Sequence, residues 1–271
     1  MIFLQKKRLK ISLIIATYNW VESLNLVLKS VLEQSVFPYE VIIADDGSGK
    51  ETEALIKKYQ QNFPVTLIHV WHKDEGFRLS EIRNKAIKAA SGDYIIQIDG
   101  DVILHPNFIK NHHQFAQKNC FITGSRVLLN DEVSKKAIKT SNIHFNFLSS
   151  GLKNRFNAFY FPVFNFFAKP ENSPMAKMTT RIRGCNMSFW KQDLLDVNGY
   201  DEDFVGWGRE DSDIVIRLIK KGCFRKKIKL AAIQYHIYHK ENDKKNLEEN
   251  HRLMEIAMKE PSFRAKKGIV K

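Results

Sequence analysis

The chain has 271 residues, 44% of them hydrophobic, which is enough to bury a substantial core without disulfide or metal staples. Its three cysteines, Cys120, Cys185 and Cys223, show neither paired nor finger spacing, which argues against a disulfide framework or a zinc finger and favours a reducing, cytoplasmic setting. A net charge of +13 attracts anions without choosing among nucleic acid, phosphorylated small molecules and acidic lipid.

The first apolar run after Lys6-Lys7-Arg8, Ile11 to Ala16, is too short for a membrane span and reads as a buried parallel strand. Thr17-Tyr18-Asn19 follows as a turn, with Asn19 placed to cap a helix and Glu22 three residues on, as in a capping box. Leu24, Leu28, Val31 and Leu32 form that helix's apolar stripe. Val36-Phe37-Pro38 ends it before a second strand, Glu40 to Ala44, which stops on Asp45-Asp46-Gly47-Ser48.

A helix over Thr52 to Tyr59, a strand over Val65 to Val70 and a helical stripe through Leu79, Ile82, Ala86, Ile87 and Ala90 come next. The strand Asp93 to Ile98 then ends on Asp99-Gly100-Asp101. This alternation predicts an α/β fold: a mostly parallel sheet flanked by helices, with ligands beyond the carboxyl ends of the strands. A buried strand that delivers two carboxylates to its end suits a hard divalent cation held against phosphate oxygens. The pattern alone is weak, because Asp201-Glu202-Asp203 and Asp211-Ser212-Asp213 repeat it.

Phe121 to Leu129 is a further strand candidate. From Val133 to Arg183 there are nine Lys/Arg and nine Phe/Tyr against the single acid Glu171. Within it, Lys153 to Lys169 would suit an anionic membrane interface, a stacking surface for single-stranded nucleic acid, or a lid over a site. Regular patterning resumes at Arg183-Gly184-Cys185-Asn186. A glycine-rich turn, Gly206-Trp207-Gly208-Arg209-Glu210-Asp211, then leads into a helix with Ile214, Val215, Leu218 and Ile219, ending at Gly222. The strand Leu230 to Tyr235 precedes His236 and His239, and 242–267 reads as a charged helical tail.

Ile15-Ala16-Thr17-Tyr18-Asn19, Ala44-Asp45-Asp46-Gly47-Ser48, Arg83-Asn84-Lys85-Ala86 and Asp99-Gly100-Asp101 together resemble the donor half of the family 2 glycosyltransferases of GT-A fold. Gly206 to Asp213, with a histidine further on, resembles the acceptor half shared by β-1,4-galactosyltransferases, bacterial chondroitin-type polymerases and polypeptide N-acetylgalactosaminyltransferases. The likeness runs from about residue 11 to 240 in the family's order. It implies one GT-A domain over 1–240, with a donor half (1–130), a variable basic-aromatic segment (131–182), a smaller acceptor half (183–240) and a tail (241–271).

The resemblance implies transfer of a hexose or N-acetylhexosamine from a UDP-sugar to a saccharide or lipid-linked saccharide hydroxyl, with inversion, in bacterial surface polysaccharide assembly. Asp101 would ligate Mn²⁺ or Mg²⁺, with Asp99 reaching the metal or the ribose and Gly100 allowing close backbone approach. His236 or His239 would complete the metal shell; the position of His236 directly after a strand favours it, and His239 stays the alternative. Thr17, Tyr18, Asn19, Asp45 and Asp46 would line the nucleotide pocket, with Arg83 near the diphosphate. Trp207, Gly208 and Glu210 would meet the acceptor, and Asp211 would be the general base.

A sugar-nucleotide nucleotidyltransferase is the runner-up, disfavoured because Thr17-Tyr18-Asn19-Trp20 stands where a glycine-rich phosphate loop belongs. A non-enzymatic basic protein of membrane or nucleic acid fits poorly with acids at three strand ends, and no nucleic-acid partner is expected. Localisation is expected to be cytoplasmic, with peripheral contact to the inner face of a membrane; oligomeric state is left open.

Overall fold

A computed structural model describes residues 9–171, 175, 179, 182–240 and 243–270. The expected start of the tail at 241 and 242, and parts of the variable segment, lie outside the described residues. The apolar runs of the first hundred residues become strands β1 (Ile11–Thr17), β2 (Glu40–Asp45), β3 (Thr66–Trp71) and β4 (Tyr94–Asp99). Helices α1 (Val21–Leu32), α2 (Lys50–Gln60) and α3 (Leu79–Ala89) alternate with them. All of β1 and β2 is buried, as runs without polar alternation require when helices cover both faces.

The chain continues through β5 (Val102–Leu104), α4 (Phe108–Phe115), β6 (Cys120–Thr123), β7 (Val127–Leu129), α5 (Asp131–Thr140) and β8 (Leu152–Lys153). It then forms β9 (Met187–Trp190), α6 (Lys191–Asp196), α7 (Glu210–Lys221), β10 (Phe224–Lys227), β11 (Gln234–His236) and α8 (Leu247–Lys259). One sheet runs β10-β6-β9-β4-β1-β2-β3; it is parallel except for β9, which is antiparallel to both neighbours. A smaller sheet runs β5-β11-β7-β8. Both sheets therefore draw strands from either side of the basic-aromatic segment.

The core lies in two layers. Leu13 and Ile15 of β1 pack with Leu24, Val27 and Leu28 of α1 on one face. Ile14 and Ile42 pack with Ile82 and Ile87 of α3, and with Ile214 and Leu218 of α7, on the other. Alternate residues of one strand thus anchor helices on opposite faces.

Four local expectations are corrected. The stretch Phe121 to Leu129 is two strands in two different sheets, because the chain turns at Gly124-Ser125-Arg126. Leu230 and Ala232 take positive φ (57° and 46°), so only Gln234–His236 pairs as a strand. Leu32 is 38% exposed rather than part of the buried stripe. Among the described residues of the tail, only Leu247–Lys259 is helical, and the segment packs back on its own domain: the Ala265 amide donates to the Val197 carbonyl and the Ile269 amide to that of Asn198.

Candidate active site

The carboxyl ends of β1, β2 and β4 open into one cavity of about 1000 Å³. Thr17, Tyr18, Asp46, Asp99, Gly100 and Asp101 line it from the strand side, with Trp207, Gly208, Glu210 and Asp211 from the second half of the chain. Arg83, Arg126, His239 and Asn246 complete much of the wall. Gly100 is required where it stands: an added Cβ would lie 2.9 Å from the Ala16 carbonyl oxygen and 2.9 Å from Thr17 Oγ1.

Two residues expected in the nucleotide pocket stand behind its wall. Asp45 is fully buried; its Oδ1 accepts from the Ser48 amide (2.8 Å) and its Oδ2 lies 2.8 Å from His69 Nε2, so it shapes the turn after β2. Asn19 adopts φ 45° and its Oδ1 accepts from the Gly49 amide (2.9 Å), while its own amide donates to Ser48 Oγ. It ties two strand-end loops together, and α1 starts without a side-chain cap. Asp46 does face the cavity. Its Oδ2 accepts the Arg78 amide (3.0 Å) and its Oδ1 the His72 Nε2 proton (2.7 Å), since Lys85 Nζ occupies His72 Nδ1 at 3.2 Å. Burial nevertheless pushes the Asp46 carboxyl up.

Asp101 meets both histidines. Its Oδ2 lies 3.4 Å from His236 Nε2 and 3.1 Å from His239 Nε2, and the three ligand atoms fall within 4.8 Å of one another. Its Oδ1 is buried with no hydrogen-bond partner, an orphan that a native interior rarely tolerates. His239 Nδ1 lies 2.6 Å from the Lys240 carbonyl oxygen, which can only accept, so Nδ1 carries a proton there. In the neutral ring Nε2 then offers a lone pair toward a carboxylate oxygen, a contact that calls for a proton or a cation between them. Burial drives the Asp101 carboxyl up, but the His239 bond and the charges of His236, His239 and Arg126 outweigh it and hold it low. Burial keeps His236 low, while the bond to Asp101 raises His239. One carboxylate and two imidazoles around an orphaned oxygen form a mixed nitrogen and oxygen donor set that fits a divalent transition-metal ion. Asp99, considered as a ligand, stands outside this cluster and turns to Arg83.

Arg83 sits in the middle of α3, not at its start, and is 1% exposed. Its Nη2 donates to Asp99 Oδ1 at 3.1 Å and its Nη1 to Asp211 Oδ1 at 3.0 Å, with Glu210 Oε1 at 3.7 Å. Burial, Asp211 and Asp99 together push Glu210 up to about 8 against the opposing Arg83 charge. Burial likewise outweighs Arg83 and brings Asp99 to about 6. Asp211 also accepts the Gly184 amide at 2.7 Å, so two donors fix its plane. It does not cap α7, whose first residue follows Arg209 at φ 77°. Trp207 is 40% exposed, with Lys244 Nζ 5.8 Å from its ring centroid, so part of its flat surface is engaged by a cation.

The three Asp-x-Asp triplets now separate. Asp213 forms a buried ion pair with Arg217, and Asp203 pairs with Lys267. Only Asp99 and Asp101 end a strand of the large sheet. Sequence reasoning missed Arg126, whose buried Nε lacks a partner, and Gly184, where an added Cβ would fall 2.3 Å from both Asp211 oxygens. A lone arginine in a loop carries no periodic or motif signal, and the need for glycine at 184 arises from a helix 27 residues away.

The model for glycosyl transferase family 2 matches residues 12–175 of this chain. The chain belongs to glycosyl transferase family 2. The model for the N-terminal domain of galactosyltransferase matches residues 168–240, the part that brings Trp207, Glu210, Asp211 and His236. Chondroitin synthase of Escherichia coli is 26% identical over 239 residues, covering 83% of this chain and 34% of that protein. Hyaluronan synthase of Pasteurella multocida is 26% identical over 244 residues, covering 83% of this chain and 24% of that protein. This family 2 glycosyltransferase thus spans about a third or less of these relatives' length. Among solved structures, S. aureus TarS 1-349 in complex with UDP aligns with a TM-score of 0.64 at 18% identity over 92% of this chain and 65% of that one. GalNAc-T7 with UDP, GalNAc and Mn²⁺ aligns with a TM-score of 0.60 at 15% identity, over 87% and 45%. The fold is GT-A, as expected.

Proposed function

We propose that this glycosyltransferase moves a hexose or N-acetylhexosamine from a UDP-sugar to a saccharide hydroxyl, free or lipid-linked, with inversion at the anomeric carbon. One observation carries the reading: Asp101 and His239 line one cavity with the Asp211 carboxylate, His236 completes their cluster, and Arg83 binds the strand end that precedes Asp101 to Asp211.

Asp211 is the base. Arg83 and Gly184 each occupy one of its oxygens, which leaves lone pairs free to take the proton of the acceptor hydroxyl. That oxygen bonds to the anomeric carbon from the face opposite the diphosphate, the carbon–oxygen bond to the diphosphate breaks, and configuration inverts. Glu210, protonated near neutral pH, donates to an acceptor oxygen through its unpartnered Oε2. Trp207 and Gly208 frame the acceptor sugar. Thr17, Tyr18 and Asp46 hold the nucleoside, and Asp99, steadied by Arg83, reaches the ribose. Asp101, His236 and His239 would hold a divalent ion such as Mn²⁺, which would neutralise charge on the leaving diphosphate.

Similarity to chondroitin and hyaluronan synthases supports a role in building a bacterial surface polysaccharide on the cytoplasmic side of a membrane. The reading covers one transfer step rather than the polymerising activity in those names. A panel of UDP-sugars and oligosaccharide acceptors, assayed with Mn²⁺ and resolved by anomeric NMR, tests it. Formation of an inverted glycosidic product is expected; a product of retained configuration, or transfer only from non-UDP donors, would overturn it.

A further inference from the structure

Between Leu148 and Phe167 large apolar side chains are displayed to solvent: Leu148 is 82% exposed, Phe156 79%, Phe164 67% and Phe167 83%. Most of these rings touch one another, and Phe166 meets a core ring, that of buried Phe115 at 5.3 Å. Phe147 lies 6.0 Å from Phe156, Phe159 lies 6.5 Å from Phe161, and Phe161 lies 6.3 Å from Phe164. A contiguous exposed apolar patch marks a surface that meets something.

The backbone under this patch is fixed. Buried Asn165 donates to the Lys229 carbonyl at 2.7 Å and accepts the Lys229 amide at 2.9 Å, and the Phe161 amide donates to Leu230. Asn154 and Asn157 both donate to the Arg126 carbonyl, at 2.8 and 3.1 Å. Arg126 lines the active-site cavity, so the aromatic segment adjoins it. Lys153 Nζ stands 5.9 Å from the ring of Tyr238, the residue before His239.

The charge carried by the segment itself is of one sign. From Val133 to Pro170 the sequence holds no acid, while exposed Lys153 and Lys169 and half-buried Arg155 flank the rings. The first acid beyond, Glu171, is paired with Lys227 at 2.6 Å. Phenylalanines enter the acyl boundary of a bilayer while lysines meet its phosphates, each basic residue adding to the attraction. Nucleic acid would be drawn by the same charge, but a surface this apolar, with aliphatic Leu148 at its edge, fits acyl chains better than bases.

We infer that the segment from Leu148 to Lys169 docks the enzyme on an anionic lipid bilayer, with the cleft at the membrane surface. Together with the sugar-transfer reading, on which this part rests, that places a lipid-linked acceptor beside the Arg126 side of the cavity. Among the described residues no helix is long and apolar enough to cross a membrane.

The test is flotation of the full chain with vesicles of phosphatidylcholine containing 30% phosphatidylglycerol, against pure phosphatidylcholine, at low and physiological salt. Expected is flotation with the anionic vesicles, weakened by salt, and a loss of roughly tenfold or more in the double variants Phe164→Ser/Phe167→Ser and Leu148→Ser/Phe156→Ser. These side chains lie outside the catalytic cavity, so transfer to a soluble acceptor stays unchanged, which also reports that the variants fold. Wild-type protein left in the soluble fraction at low salt would overturn the inference. So would double variants that float as well as wild type, or a patch that proves by sedimentation to join two copies and disappears from solvent. Transfer to soluble acceptor without flotation defeats docking alone; flotation without any transfer defeats the enzymatic reading alone.

Discussion

Arg83 Nη1 lies 3.0 Å from Asp211 Oδ1, joining residues 128 positions apart in the chain. The same guanidinium holds Asp99, so the strand end that precedes Asp101 and the helix start that carries Asp211 are fixed to one buried cation. Distance between the donor and acceptor chemistry is thereby set by one side chain.

Arg83→Ala leaves Asp99, Glu210 and Asp211 without their counter-charge in a buried site. Breaking a buried pair in this way costs about 3–5 kcal/mol. Chemical denaturation should show that loss, and Arg83→Lys should recover only part of it, because one ammonium cannot reproduce the two-sided fork. Unfolding curves that superimpose on wild type would contradict the role given to Arg83.

Glu210 makes stability depend on pH. An ordinary glutamate loses its proton near 4.5, whereas burial and the neighbouring carboxylates hold that of folded Glu210 to about 8. Between these values the folded chain binds more protons than the unfolded one. The contribution is therefore complete below pH 4.5 and lost as pH rises through 8. Asp99, raised to about 6, adds to the fall, tempered by a side chain 35% open to the cavity. Each kcal/mol lost lowers Tm by roughly 2–4 °C in a chain of this size. Melting between pH 5 and 8.5 should decline in wild type and flatten in Glu210→Gln.

Gly184→Ala places a methyl group 2.3 Å from both oxygens of Asp211. The carboxylate must move, and a displacement of about 1 Å in a catalytic group costs on the order of 10²-fold. Steady-state kinetics should show that loss in kcat with UDP affinity retained. A variant of normal kcat would mean that Asp211 need not hold the position it has here.

The strand ends were legible because parallel strands buried on both faces are written as unbroken apolar runs, and Asp46, Asp99 and Asp101 stand where those runs stop. Asp211 and Trp207 were legible through the likeness of their glycine-rich turn to the acceptor half of related glycosyltransferases. Asp45 looked equivalent to Asp46, but successive side chains leave a strand in opposite directions, and Asp45 turned inward to His69 and Ser48. The choice between His236 and His239 dissolves: β11 ends at His236 and the chain curls back within three residues, so both Nε2 atoms reach Asp101. Arg126 was invisible because its place in the cavity depends on the turn that parts β6 from β7.

The most direct measurement is calorimetric titration of UDP into wild-type, Asp101→Ala and Asp211→Asn chains, each with and without Mn²⁺. Wild type and Asp211→Asn should bind UDP more tightly with Mn²⁺. Asp101→Ala should lose that enhancement, with affinity lower by roughly tenfold or more, about 1.4 kcal/mol. Asp211→Asn should at the same time lose transfer by roughly 10²–10⁴-fold. Mn²⁺-enhanced UDP binding that survives intact in Asp101→Ala, or near-normal turnover in Asp211→Asn, would contradict the assignment of the cation and the base to these two carboxylates.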